Sequence, residues 1–244
     1  ILSADYFKMT PIDTFVNSFQ NRLELPVRQH LKNVYGTLTM TCASAVVGIY
    51  IDMFTRFQIG ILSAFVGAGL MLLLYATPDN GKNTTLRLSY LLGLGLSSGM
   101  SMGPLLQYVS IVDPAIIVTA TLGTTVVFVC FSVAAMLAER GSWLFLGGTL
   151  MTLLTSMSIM LQFFFYFQAH LYLGLATMCG FVLYNTQSII EKRRMGNKDF
   201  VQHAMELFID FIGIFKRLLI ILTQKLTTDL QNKTVGSALF LTLP

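Results

Sequence analysis

Charge is what this sequence has least of. Asp, Glu, Lys and Arg make up 11% of its 244 residues, hydrophobic residues make up 54%, and mean hydropathy is +0.67. Soluble domains run near a quarter charged, and a water-soluble chain of this length would need far more polar surface. Cysteine is also scarce. Cys42, Cys130 and Cys179 all lie inside apolar runs, where they read as small buried hydrophobes. No pair sits in a loop that an oxidising compartment would bridge, and none joins a histidine at metal-site spacing. A disulfide framework and a structural metal are therefore not what organises the chain. No cleavable signal peptide is expected either, because residues 1–33 are polar and mixed in charge, with no short apolar core. The net charge of +4 is small. No nucleic acid is expected as a partner.

What the sequence has instead is a series of charge-poor apolar runs, most of them near the ~20 residues that cross a bilayer. They fall at 34–53, 58–76, 88–109, 114–138, 143–166 and 171–190, followed by a charged seventh segment at 205–222. The expected fold is an all-α polytopic membrane protein, a seven-transmembrane-helix bundle with the last helix central. The expected organisation is a cytosolic N-terminal arm at 1–33, one membrane domain at 34–223 and a polar tail at 224–244. A short amphipathic helix is expected around 14–25, with Pro26 separating it from a second start at 27–32. The run Thr77-Pro78-Asp79-Asn80-Gly81 closes the second span as a turn. Gln168-Ala169-His170 is read as a tight break between the fifth and sixth spans, and Trp143 and Tyr166 as interfacial anchors.

Lys and Arg set the orientation. The arm carries Lys8, Arg22, Arg28 and Lys32, and the even-to-odd loops carry Lys82, Arg87, Arg140, Lys192, Arg193, Arg194 and Lys198. The opposite short loops carry only Arg56. By the positive-inside rule the arm is cytosolic. If the seventh segment spans, the tail lies on the far side, where Asn232-Lys233-Thr234 would be a glycan acceptor.

In the third span Gly95, Gly99 and Gly103 recur every four residues. Small residues at that spacing clear a helix face so that a neighbouring backbone can approach. Pro104 beside them predicts a kink and a weak helix end inside the membrane.

The seventh segment, MELFIDFIGIFKRLLIIL, is apolar but carries Glu206, Asp210, Lys216 and Arg217. At 100° per residue His203, Glu206, Asp210 and Arg217 fall within about 60° of one another, a narrow polar stripe. A helix surrounded by lipid could not carry that stripe, so it must face a bundle interior, a partner helix or water. Asp210 is the leading candidate for a proton- and cation-binding group. Glu206 and His203 extend the ladder towards the cytosolic side. The competing reading is a structural set. Tyr184-Asn185-Thr186-Gln187 places two amides at membrane depth in the sixth span. Gln187 reads equally well as helix–helix glue. If the sixth and seventh helices are antiparallel, Asn185 and Asp210 lie at the same depth, each ~9 Å below the same face, and can meet.

The run from Met178 through Gly180, Tyr184-Asn185-Thr186-Gln187 and Glu191-Lys192, followed by Leu207-Phe208-Ile209-Asp210-Phe211, closely resembles the signature of the transmembrane Bax-inhibitor-motif family. Supporting pieces are His30-Leu31-Lys32, Ala76-Thr77-Pro78, Gly103-Pro104 and Leu144-Phe145-Leu146-Gly147-Gly148. The resemblance covers roughly residues 28–225 and is strongest to the Bax inhibitor-one branch. It implies a multi-pass endoplasmic reticulum protein with a cytosolic N-terminus. It also implies suppression of apoptosis and ER-stress signalling, and a pH-modulated calcium leak. Its implied partners are the lipid bilayer, Ca2+ as the transported ion, and anti-apoptotic Bcl-family proteins. No cofactor, no tight metal site and no enzymatic activity are implied. In the family two aspartates on the last two helices share a proton as pH sensor. Asp210 matches the second, whereas Asn185 stands at the first, and an amide cannot titrate. The alternatives are a cation/proton exchanger or a regulatory membrane protein acting mainly by binding Bcl-family partners. An intramembrane protease is a further rival, resting on Gly95-Leu96-Ser97 and His170 alone.

Overall fold

The computed structural model describes residues 23–54, 60–160 and 167–241. Among them the chain forms seven helices: α1 (Leu25–Phe54), α2 (Gly60–Ala76), α3 (Thr84–Val112), α4 (Ala115–Leu137), α5 (Leu146–Met160), α6 (Phe167–Arg194) and α7 (Phe200–Leu241). α1, α4 and α6 are long and apolar enough to cross a membrane, and α2 and α5 are shorter apolar helices.

The helices turn large apolar side chains outward as well as inward. On α4, Val118, Leu122, Val126 and Val129 are each more than half exposed, at three- and four-residue spacing. The opposite face of the same helix buries Ile116, Ala120, Thr124, Phe128, Ser132 and Ala135. A soluble helix would put charge on the outer stripe; an apolar outer stripe suits hydrocarbon.

Tight turns join several of the helices. Gly81 takes a φ of +71°, and its N–H donates to Asp79 Oδ1 at 3.0 Å. Asn83 Nδ2 closes the same loop on the Pro78 carbonyl at 2.8 Å. At the start of α4 the Ala115 N–H donates to Asp113 Oδ1 at 2.8 Å. That bond supplies an acceptor that the first turn lacks. Pro114 precedes the helix with φ −63°, already helical.

Two expectations need correction, at Pro26 and at Gln168-Ala169-His170. Pro26 does not separate two helices; it sits in the first turn of α1, where a missing N–H costs nothing. Residues 25–33 are therefore continuous in one helix with the first span. α3 runs through Pro104 to Val112, past the end of the expected span at 88–109. Gln168, Ala169 and His170 lie within α6, so no break falls there. The polar residues after Leu222 do not stop the last helix, which continues to Leu241. Trp143 occupies a turn before α5, and Tyr166, Arg56 and the expected helix at 14–22 lie outside the described residues.

α1 and α3 pack closely, with α3 also against α2. A Cβ on Gly95 would sit 2.6 Å from the Thr41 carbonyl oxygen; one on Gly99 would strike the Ala45 carbonyl, and one on Gly103 the Asp52 carboxylate. Gly48 of α1 is pressed in the same way on the Leu96 carbonyl. Ser44 Oγ donates across this interface to the Leu92 carbonyl at 2.6 Å. α7 packs against α1, α3, α4 and α6, and α6 also holds α4 and α5.

Candidate functional site

The polar stripe of α7 is contacted residue by residue, and mostly by α6. Glu206 receives Lys192 Nζ at 3.3 Å. Asp210 Oδ2 accepts from Asn185 Nδ2 at 2.7 Å. Arg217 lies over Gly174, where any Cβ would meet its guanidinium, and Arg217 Nη1 donates to the Gly213 carbonyl at 3.3 Å. As the number rises on α7 it falls on α6, which is the antiparallel register that brings Asn185 and Asp210 to one depth. His203 turns instead to α1, with its Nδ1 at 2.9 Å from His30 Nε2.

Asp210 is 4% exposed, and its neighbours Leu207, Phe208 and Ile214 are buried too. Beside it an aromatic row links three helices. The Tyr35 ring meets Phe128 edge-on at 6.5 Å, and Phe128 meets Phe211 at 5.5 Å. Such contacts fix ring positions, and through Phe211 they fix the helix face next to Asp210. Nearby, the hydroxyls of Ser132 and Thr186 and the phenol of Tyr35 are buried without a geometrically good hydrogen bond.

Beyond Asp210, in the direction of Leu241, an apolar cluster lies beside the buried Asp52. Met102, Leu106 and Val109 of α3, Ile116 and Ala120 of α4, and Phe215 and Leu219 of α7 form one buried cluster. On the other side of Asp210 the charged groups collect. Arg87 Nη2 pairs with Asp199 Oδ2 at 2.6 Å, with the arginine side chain 2% exposed. Arg140 grips Glu191 through two nitrogens, each 2.9 Å from a carboxylate oxygen, and Arg194 Nη1 reaches the same carboxylate at 2.7 Å. The Arg140 bonds, followed by Arg194, hold the Glu191 carboxyl below its ordinary value against the opposing effect of burial. Arg193 Nε approaches the Pro26 carbonyl at 3.5 Å. The basic loops singled out by charge thus meet at one end of the bundle.

Gln187 acts as helix glue. Its Nε2 donates to the Ala135 and Glu139 carbonyls at 3.3 and 3.1 Å and to Ser142 Oγ at 3.2 Å, and its Oε1 accepts from the Trp143 N–H at 2.8 Å. One amide ties the end of α4 and the following turn to α6. Ser97 donates to the Leu94 carbonyl of its own helix and lies against Gly67 of α2. Among the described residues no three His, Cys, Asp or Glu side chains converge as a metal site.

Sequence reasoning missed three residues. His30 stood out only as part of a family-like piece and Arg87 only as an orienting charge; their pairings had no signal, because the partners lie 173 and 112 positions away. Asp52 was legible as a carboxylate within an apolar run. It is 4% exposed, over Gly103, with its Oδ1 unpartnered.

Outward apolar stripes, helices of membrane-crossing length and a buried amide–carboxylate pair define a helical membrane protein with a polar interior site. The family model described as "Inhibitor of apoptosis-promoting Bax1" matches residues 27–226, and the chain belongs to that family. It is 48% identical over 200 residues to a probable Bax inhibitor 1 of Paralichthys olivaceus, covering 79% of this chain and 84% of the relative. It is 42% identical over 218 residues to Bax inhibitor 1 of Drosophila melanogaster, covering 87% and 89%. Against human Bax inhibitor 1 it is 43% identical over 202 residues, covering 80% and 85%.

Proposed function

We propose that this chain inhibits apoptosis as a multi-pass protein of the endoplasmic reticulum membrane and passes calcium to the cytosol through a pH-modulated leak. In this reading seven helices span, the last is central, and the N-terminus is cytosolic. The observation that carries it is the buried Asn185–Asp210 bond between α6 and α7. A carboxylate kept deep in an apolar bundle is costly and is a functional-site hypothesis by default.

The same geometry is compatible with a closed state of that route. From Asp210 towards one end lie the Glu206–Lys192 pair and the histidine contact; towards the other lies the apolar plug of Met102, Leu106, Phe215 and Leu219. Calcium prefers six to eight oxygen ligands, and the stripe offers few. This supports transient passage rather than tight binding. No enzymatic step is assigned.

Calcium flux through purified protein in proteoliposomes, wild type against Asp210→Ala, tests the reading. Loss of flux in the variant supports it; equal flux rejects Asp210 as part of the route. Stoichiometric proton counterflux would favour an exchanger. A flux-dead Asp210→Asn that still protects cells would favour action through Bcl-family partners. Glycosylation at Asn232 would test the far-side tail that seven spans require.

A further inference from the structure

His30 of α1 and His203 of α7 meet at the end of the bundle where the charged loops gather. Their ring nitrogens are 2.9 Å apart, the rings stand edge to face with centroids 5.1 Å apart, and the residues are 6% and 1% exposed. Both precede the spans at 34–53 and 205–222. One nitrogen must bring the hydrogen and the other a lone pair, so at least one ring must be neutral. A first proton leaves the bond intact. A second leaves no acceptor between the rings and sets two cations against each other in a buried place.

The surroundings do not offset that second charge. Lys192 and Arg193 at the end of α6 oppose protonation, and Asp199 at the start of α7 favours it. Asp199 is already held by Arg87 of α3. Glu206, one turn further along α7, is held by Lys192. Burial, then Arg193, keeps His30 below its ordinary value. Burial pushes His203 down to about 4, with Lys192 and then His30 adding to the effect.

We infer that the His30–His203 contact is a proton-released latch, holding the first turns of α1 against the start of α7 while the rings are neutral and letting them part when both are charged. A base whose pKa is depressed in the closed state stabilises that state fully above its ordinary value, about 6.5. The contribution is lost as pH falls from there towards the closed-state value. Asp210 lies seven residues beyond His203, about 10 Å along α7. Releasing the latch therefore loosens the helix that positions Asp210. The chain would thereby possess an acid response that needs no second carboxylate at position 185. The latch itself is independent of the ion-path reading; only its consequence for flux rests on it.

Pulsed electron spin resonance on the full chain in lipid nanodiscs tests the latch. Nitroxides replace the exposed Lys32 and Lys198 in a background with Cys42, Cys130 and Cys179 changed to serine. Between about pH 7.5 and about pH 5, a window set by histidine titration, the distance should lengthen by a few ångström and its distribution broaden. In His30→Gln/His203→Gln it should stay at its neutral-pH value. If the double variant does not fold, His30→Gln alone serves, since an amide still accepts from a protonated His203. A wild-type distance unchanged by pH, or an undiminished shift in the variants, overturns the latch. Calcium flux in proteoliposomes, read in parallel, should rise several-fold on acidification in the wild type and rise clearly less in the double variant, where Asp210 is left as the titrating group of the path. A distance that moves without any flux at either pH overturns the ion-path reading and leaves the latch standing. Flux that responds to acid while the distance stays fixed overturns the latch.

Discussion

Asn185 donates a single 2.7 Å hydrogen bond to Asp210, joining the middle of α6 to the first third of α7. An amide resembles a protonated acid in shape but always presents its hydrogens. It stabilises a carboxylate opposite it without gaining or losing a proton itself. The site therefore holds one titrating group where two facing acids would form a coupled pair.

Asn185→Asp should convert the single titration into two coupled steps and steepen the pH dependence of calcium flux. Proteoliposome flux measured from about pH 5 to about pH 8 checks this, the range in which a coupled buried pair titrates. Identical profiles for the two forms would remove position 185 from the sensor.

The α1–α3 interface should be intolerant of any added carbon. Gly99→Ala drives a methyl group into the Ala45 carbonyl, and Gly48→Ala does the same to Leu96. Each should cost about 1–3 kcal/mol, the usual range for overpacking. Gly69→Ala, with open space around it, is the control. That change should be neutral or stabilising by about 0.5–1 kcal/mol through helix propensity. Thermal unfolding in detergent separates the two cases.

Breaking the Arg87–Asp199 pair from one side should be severe. Arg87→Met leaves the Asp199 charge buried and unpaired, at a cost of about 3–5 kcal/mol. Arg87→Met/Asp199→Asn should recover a large part of that loss. A double-mutant cycle on unfolding midpoints gives the coupling, and simple additivity of the two single changes would refute a strong pair.

Glu191 sets an acid limit on the same end of the bundle. Its carboxyl is held below the ordinary value mainly by Arg140. A depressed acid stabilises the fold above its unfolded pKa, and that contribution disappears as pH falls through the folded value. Glu191→Gln should therefore lower stability slightly at pH 7, only slightly because Arg140 is exposed and solvent screens the pair, and the difference from the wild type should vanish as pH falls below about 4.5 and Glu191 takes up its proton. An unchanged acid limb would show that the bridge contributes nothing.

Much of this fold was legible because hydrophobicity and charge act locally. The apolar runs marked where helices form, the lysines and arginines marked which loops share an end, and the repeat of Gly95, Gly99 and Gly103 marked a face that a neighbour approaches. Antiparallel succession placed Asn185 opposite Asp210. Helix ends were less legible. Pro26 read as a break, yet a proline in a first turn costs nothing; Pro104 read as a kink, and the helix runs through it to Val112. The polar run after Leu222 read as a tail, and its composition carried no mark of how far the helix continues through it.

By itself the sequence determined the class of protein, the loops whose basic residues share one end of the bundle, and the acid deep in the apolar part of its last helix. Those follow from the cost of placing charge in hydrocarbon, which each segment meets alone. Only the tertiary structure decided which of those groups are partnered. His30 found His203, Arg87 found Asp199, and Asp52 came to rest on Gly103 because helix packing, not chain proximity, sets the distances at which imidazoles and charges interact.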